Sequence, residues 1–558
     1  KLKPNIMFNG KSQLREESLD STISLSSASS SSSTSSLSQG SAICTTVSEE
    51  AWHSEGLAII VIGASGDLAK KKTYPSLLNL YAENLLPEDA IVYGYARSNM
   101  SHDQLRNKLK PYLLTNNQHS EALVDQFLSI CFYHSGKSYG DEHAYRALVG
   151  KLFDHENTIP DRRRHNRLFY WAIPPNVFDE TGIVIKKVAM QPTEKGWNRM
   201  IIEKPFGRDL ESCLKLGELL NSQFKESELY RIDHYLGKEM VQNLLTLRFG
   251  NSYFEYMWNK SAIASVIITF KEDFGTDGRG GYFDKYGIIR DVIQNHLLQV
   301  LTLVAMEPPI QVDGAEIGDI IRDAKVKVLQ SINPIQLEDC ILGQYEGYTN
   351  DETIENKETN TPTFATMCCF INNSRWSGVP FILQAGKAMD ERKVDVRIQL
   401  KDPPASPFLT RKDLKSQRNE IVLNIQPKEG IFMKTNVKTP GFDSVPVQSE
   451  LEMKYENSFR GKIKSPDAYT RLILDAFRGR QAAFVRDDEL VKSWEIFTPL
   501  LHEIDKSRIQ PTIYQPGGNG IKEINELIAK NSASSEVDRP SKAFPAGGTI
   551  NMVRSSAL

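Results

Sequence analysis

The hydrophobic rhythm of this chain changes twice. Up to about residue 50 it has no apolar periodicity, then short unbroken apolar runs alternate with helical spacing. Past about Tyr235, strand-like runs follow one another with few long helices between them. Order is expected from near Gly56. Leu57 to Ile62 is an unbroken apolar run stopped by Gly63, the pattern of a strand buried on both faces. Ser76 to Glu83 predicts a helix and Ile91 to Tyr95 a second strand. Leu168 to Ile173 predicts a third strand, stopped by Pro174 and Pro175, and Met200 to Ile202 a short one ending at Glu203-Lys204-Pro205. Strands alternating with helices predict a doubly wound α/β sheet with right-handed crossovers. Further on, Ile263 to Phe270 reads as a long strand and Ile288 to Met306 as a helix. Residues 364–373, 394–400, 420–426 and 449–455 read as successive strands. They predict a larger α+β unit with a mostly antiparallel sheet. Asn350 to Thr361, polar and acidic, predicts a surface loop.

Composition sharpens the boundaries. Serine dominates Ser18 to Ser48, with an unbroken run from Ser29 to Ser33, so this stretch buries too little apolar surface to offset its ordering entropy. The expected organisation is a disordered segment 1–52, a Rossmann-like unit 53–233, an α+β unit 234–530 and a flexible tail 531–558. A transit peptide is also Ser-rich, but Glu16, Glu17 and Asp20 count against one. A hydrophobic share of 40% and a charged share of 25% are those of a soluble globular protein. A net charge of −3 supplies no basic field, which argues against nucleic-acid binding. No apolar run reaches the roughly 18 residues of a membrane helix. Six cysteines, at 44, 131, 213, 340, 368 and 369, form no C-x-x-C and no metal spacing. Neither a disulfide framework nor a metal is expected.

The candidate chemistry lies in four places. Arg231-Ile232-Asp233-His234-Tyr235-Leu236-Gly237-Lys238 packs an acid, two bases, a phenol and an ammonium into one segment. If helical, it sets His234 and Lys238 on one face, where two donors can grip a phosphate dianion. Gly63-Ala64-Ser65-Gly66-Asp67-Leu68-Ala69 sits between a strand and a helix, a G-x-x-G-x-x-A variant of the dinucleotide turn. The second strand ends in Ala96-Arg97-Ser98 with no acid to hold a ribose 2′-hydroxyl. Arg97 and Ser65 suit a 2′-phosphate instead, which predicts NADP over NAD. Lys70, Lys71 and Lys72 stand near a helix N-terminus, where cations oppose the macrodipole, and hint at an anion. Lys204 ends a predicted parallel strand, where open α/β sheets bind ligands. His296 lies on the apolar face of its helix and suits a general base if a carboxylate orients it, with Asp233 the candidate.

Taken together, these motifs resemble the glucose-6-phosphate dehydrogenase family. The resemblance rests on GASGDLAKKK at 63–72, GYARS at 94–98, NRLFY at 166–170, EKPFGRD at 203–209 and RIDHYLGKEMVQN at 231–243. The segments 274–299, 378–393 and 465–477 add to it, and it runs from Leu57 to Glu526. It implies oxidation of glucose 6-phosphate at C1 by NADP to the 6-phosphogluconolactone. It makes His296 the base and Asp233 its partner. His234, Tyr235 and Lys238 become the phosphate grip, with Glu272, Asp291, Lys387, Arg392 and Gln426 at further sugar positions. Lys204 serves both substrate and coenzyme. Gly63, Ala64, Ser65, Gly66, Asp67, Leu68, Lys72, Arg97 and Tyr170 match the coenzyme site. A homodimer or homotetramer through the large sheet is expected by the same analogy. Some relatives hold a second, structural NADP, and Lys271, Lys393, Arg397, Lys434 and Arg486 match its cationic contacts. Gln384 and Asn424 replace arginines there, Phe432 replaces a tyrosine, and no tryptophan follows Trp494, so tight binding is not expected. Cys131 resembles the plastid branch but lacks a partner thiol in its region. The cytoplasm is the first expected compartment and the plastid the second, and Ser556-Ala557-Leu558 lacks the basic middle residue of a peroxisomal address. Another sugar oxidoreductase would lack the phosphate grip, and a non-catalytic NADP-binding regulator would show a broken dyad.

Overall fold

The computed structural model describes residues 50–115, 118–159, 164–310, 317–402, 418–442, 446–458 and 465–521. The expectations for the serine tract and for the tail 531–558 lie outside these residues. One difference appears at the boundary. Ala51–Ser54 forms a 3-10 turn, and Trp52 is buried against Phe477, 5.7 Å between ring centroids. Order therefore precedes Gly56, because a single indole supplies the anchor that the polar residues around it conceal.

The first sheet has six parallel strands in the order β3-β2-β1-β4-β5-β6. They are β1 Gly56–Ile62, β2 Ile91–Ala96, β3 Cys131–Ser135, β4 His165–Trp171, β5 Asn198–Ile202 and β6 Leu229–Arg231. This is the doubly wound order, with its reversal between β1 and β4. β3 buries only two of its five residues and β6 has only three residues, so neither stands out in the apolar pattern. After β1, a π-helical turn Ala69–Thr73 runs into the helix Tyr74–Ala82.

The second sheet has nine strands, ordered β14-β13-β12-β11-β7-β10-β9-β8-β15. They are β7 Ile263–Lys271, β8 Cys340–Tyr345, β9 Phe364–Phe370, β10 Pro380–Gly386, β11 Lys393–Leu400, β12 Glu420–Gln426, β13 Gly430–Lys438, β14 Pro446–Lys454 and β15 Thr512–Tyr514. Its pairings are antiparallel except β7 with β10 and β8 with β15. The expected helix 288–306 divides into a π-helical segment Ile289–Leu297 and an α-helix Leu298–Ala305. The helix Ala468–Arg478 returns to the first sheet. Its Leu472, Ile473, Ala476 and Phe477 share a core with Leu57, Val61 and Tyr230. The loop expected at 350–361 is there, but Ile354 is buried within it, and Asp351 accepts from the Gly280 N–H at 3.1 Å.

Candidate active site

β6 ends at Arg231 and the chain enters the 3-10 turn His234–Gly237, a single turn rather than a helical face. Asp233 caps it, Oδ1 accepting from the Tyr235 N–H at 3.0 Å. The same oxygen accepts from His296 Nδ1 at 2.6 Å, across 63 residues of sequence, and both side chains are buried. The pairing places the proton on Nδ1 and leaves Nε2 as an acceptor. Lys204 Nζ donates to Nε2 at 3.1 Å and to the Asp291 carbonyl oxygen at 2.6 Å. Burial pushes the Asp233 carboxyl up. The charge and hydrogen bond of His296, the Tyr235 N–H and the Lys204 ammonium outweigh it, and the carboxyl sits below its ordinary value. Burial pushes His296 down; Asp233 pulls it up, the Lys204 ammonium pushes with burial, and the imidazole stays low. A neutral imidazole beside an ionised carboxylate is the resting form of a general base with its orienting partner. Asp233, His234 and His296 also bring ligand-type atoms within 4.8 Å of one another. The ammonium at Nε2 and the occupied Nδ1 suit proton transfer better than a metal.

The other predicted residues gather around this pair. His234 lies edge-on to His296, 4.5 Å between centroids, and stacks on Tyr469 at 5.7 Å. Burial pushes its imidazole well down, so it is a neutral donor. Lys238 Nζ donates to Gln426 Oε1 at 3.0 Å, and the Gln426 amide donates to the Tyr235 hydroxyl at 3.4 Å. Lys238, Arg392 and Gln426 border an open cavity of about 790 Å³. Lys387 Nζ donates to Glu272 Oε2 at 2.5 Å and lies 3.9 Å from Asp291. Asp291 thus stands between the two lysines, and despite its burial their charges hold its carboxyl low.

At the other end, Gly63 has φ +85°, and a Cβ there would lie 2.3 Å from the Ala172 carbonyl oxygen. Only glycine fits this turn. Ser65 and Ser98 hydroxyls stand 3.4 Å apart, and the exposed Arg97 lies over the Tyr139 ring at 5.2 Å. One guanidinium and two hydroxyls, with no carboxylate at the end of β2, form a donor set for a phosphate ester and fit NADP. Two expectations change here. Lys70 and Lys71 pair with Asp67 at 2.8 and 3.2 Å, so local charge accounts for them, while Lys72 turns toward Tyr469, 5.8 Å from its ring. Tyr170 is fully buried, and its hydroxyl donates to Glu203 Oε1 at 2.5 Å. Its ring packs in the core with Val61 and Tyr230. Burial pushes Glu203 up to about 7.

The cations proposed for a second coenzyme carry protein partners. Lys271 pairs with Asp390 at 2.8 Å, Lys393 with Asp395 at 3.0 Å, and Arg397 with Glu420. Arg486 joins a separate set, Asp323 and Asp488, at the start of the helix Asp487–Ser507. Cys131 is a buried free thiol.

Sequence reasoning passed over Tyr469 and Glu203 as individual residues. Both lie inside quoted motifs, but stacking on His234 and bonding to Tyr170 are tertiary facts.

The glucose-6-phosphate dehydrogenase NAD binding domain description matches residues 60–243, and the C-terminal domain description of the same family matches 245–536. Glucose-6-phosphate 1-dehydrogenase 6, cytoplasmic, of Arabidopsis thaliana is 50% identical over 85% of this chain and 91% of its own length. The cytoplasmic isoform of Solanum tuberosum is likewise 50% identical, over 85% of this chain and 91% of its own. A solved glucose-6-phosphate dehydrogenase in complex with its substrate glucose 6-phosphate superposes with a TM-score of 0.80 at 42% identity, covering 88% of this chain and 99% of that one. The chain belongs to the glucose-6-phosphate dehydrogenase family.

Proposed function

We propose that this chain oxidises D-glucose 6-phosphate at C1 to 6-phospho-D-glucono-1,5-lactone, with NADP as the coenzyme. The observation that carries the reading is the buried Asp233–His296 pair, with Lys204 at its free nitrogen and a cavity bordered by Lys238 and Arg392 nearby. NADP, when bound, accepts the hydride. Gly63 and Gly66 let the backbone approach its pyrophosphate, Ser65 and Arg97 take the 2′-phosphate, and Ala64, Asp67, Leu68 and Lys72 complete that turn. Tyr170 acts through Glu203, setting the end of β5 from which Lys204 projects.

His234, Tyr235 and Lys238 hold the sugar phosphate, joined by Arg392 and Gln426 at the cavity wall. Glu272, Asp291 and Lys387 meet the sugar hydroxyls. His296 Nε2 takes the C1 hydroxyl proton, and Asp233 stabilises the imidazolium that forms. Lys204 then serves twice, placing the hydroxyl and keeping Nε2 deprotonated until the hydroxyl arrives.

The reading includes a homodimer or homotetramer through the outer face of the second sheet. The exposed apolar residues of β14, among them Val447 and Leu451, support it. It includes the cytoplasm as compartment, which the two plant relatives carry in their names.

The test is absorbance at 340 nm with glucose 6-phosphate and either NADP or NAD. Fast reduction of NADP is expected, with Arg97→Asp raising the KM for NADP far more than for NAD. No reduction of either coenzyme by a folded sample that binds NADP would favour the regulator reading instead.

A further inference from the structure

The two oxygens of Asp233 stand in different circumstances. Oδ1 accepts from His296 and from the Tyr235 N–H. Oδ2 is buried and has no hydrogen-bond partner among the described residues. Leaving a buried carboxylate oxygen unpaired is costly. Asp233 borders a small cavity of about 30 Å³, walled also by Gln294, Gln299, Ser493 and Trp494. A second orphan borders the same space. Gln299 Nε2 donates to Glu489 Oε2 at 3.3 Å, and Glu489 is held by Lys325 at 2.7 Å, both fully buried. A carboxylate accepts only from the amide NH2, so Glu489 fixes which way Gln299 points. Its Oε1 is buried and unpartnered among the described residues.

Two residues that each carry an unpartnered buried acceptor thus line one small cavity, and a cavity needs only roughly 10–15 Å³ to take a water. We propose that a water bound there donates one hydrogen to Asp233 Oδ2 and the other to Gln299 Oε1, making Gln299 a positioning residue for the dyad. The water satisfies both acceptors with its two donors. It keeps the carboxylate plane turned so that Oδ1 stays on Nδ1, and it draws part of the carboxylate charge away from His296. Gln299 reports to the dyad through this water and is itself anchored by the Glu489–Lys325 ion pair.

The inference rests on the Asp233–His296 reading, but its first test does not use activity. A crystal structure of the full chain at about 1.5 Å should show one water within hydrogen-bond distance of both oxygens; a dry cavity overturns the proposal. The second test is the pH dependence of kcat/KM in Gln299→Met, which keeps the volume and removes the acceptor. The dyad is faced by Lys204, Asp291, His234 and Tyr235 around His296, and by Glu203 and Tyr469 around Asp233, all unchanged in this variant. Without the water the carboxylate becomes a stronger acceptor from His296 Nδ1. The acidic limb should move up by about half a unit. At the pH optimum kcat should fall by about tenfold, with KM values held within about twofold, the scale of one hydrogen bond to a charged group. Ser493→Thr, which adds a methyl to the same cavity and leaves Gln299 alone, should move the limb in the same direction. Limbs unmoved in both variants would reduce Gln299 to a packing residue and overturn the proposal. Failure of the dyad itself reads out separately, in His296→Asn.

Discussion

At the scale of single residues, the proposed mechanism depends on one imidazole held neutral and aimed. Burial and the Lys204 ammonium lower His296, and Asp233 fixes its tautomer. With His296 as the proposed base, active when unprotonated, activity should be lost as pH falls through its pKa. That midpoint in kcat/KM should lie below about 6.5, the ordinary histidine value. Glucose 6-phosphate carries a phosphate that titrates near about 6, so the assignment needs a variant. Lys204→Met removes a cation from Nε2 and should shift the histidine limb upward, whereas a limb due to the substrate phosphate stays where it was. An unmoved limb would return Lys204 to a purely binding role. Lys204, His234, Lys238 and His296 were each visible as chemistry in the sequence. Their convergence was not, since 63 residues separate Asp233 from His296. Arg97 was visible through a simpler signal, the lack of an acid at the end of β2.

At the scale of elements, the turn after β1 was legible because glycine is demanded twice by geometry, once by φ and once by the approach of Ala172. β3 and β6 were not, one half-polar and the other three residues long. The mid-chain helix was legible, but its π-helical first half was not, because a register change in backbone hydrogen bonding leaves the apolar spacing nearly intact. The Tyr170–Glu203 contact joins the neighbouring parallel strands β4 and β5 beneath the coenzyme turn. Burial raises Glu203 to about 7 in the folded chain. An acid raised in this way contributes stability that is present below its unfolded pKa and lost as pH rises through the folded value. Between pH 6 and 8 the loss is about 1 kcal/mol. Glu203→Gln stays neutral, so its melting temperature should fall less over that range than the parent's. Parallel curves would place the charge of Glu203 elsewhere.

At the scale of the whole molecule, the first sheet supplies strand ends, the second supplies a wall, the turn after β6 carries Asp233, and the π-helical segment Ile289–Leu297 brings His296 to it. The return of the helix Ala468–Arg478 to the first sheet ties the two halves together and brings Tyr469 to His234. Composition and strand rhythm foresaw two sheets, but nothing in the sequence pattern foresaw that return, which depends on an apolar helix face finding a distant core. The outer sheet face should make the protein at least a dimer. Light scattering at micromolar concentration should report twice the chain mass of 63.0 kDa or more, and a monomer would contradict the assembly. The most direct measurement of the central claim is turnover and substrate binding in His296→Asn. The account predicts a loss of kcat of about 10²–10⁴ with glucose 6-phosphate still bound close to the parent affinity. Near-normal turnover with a large loss of binding would contradict it and move His296 from the base to the sugar grip.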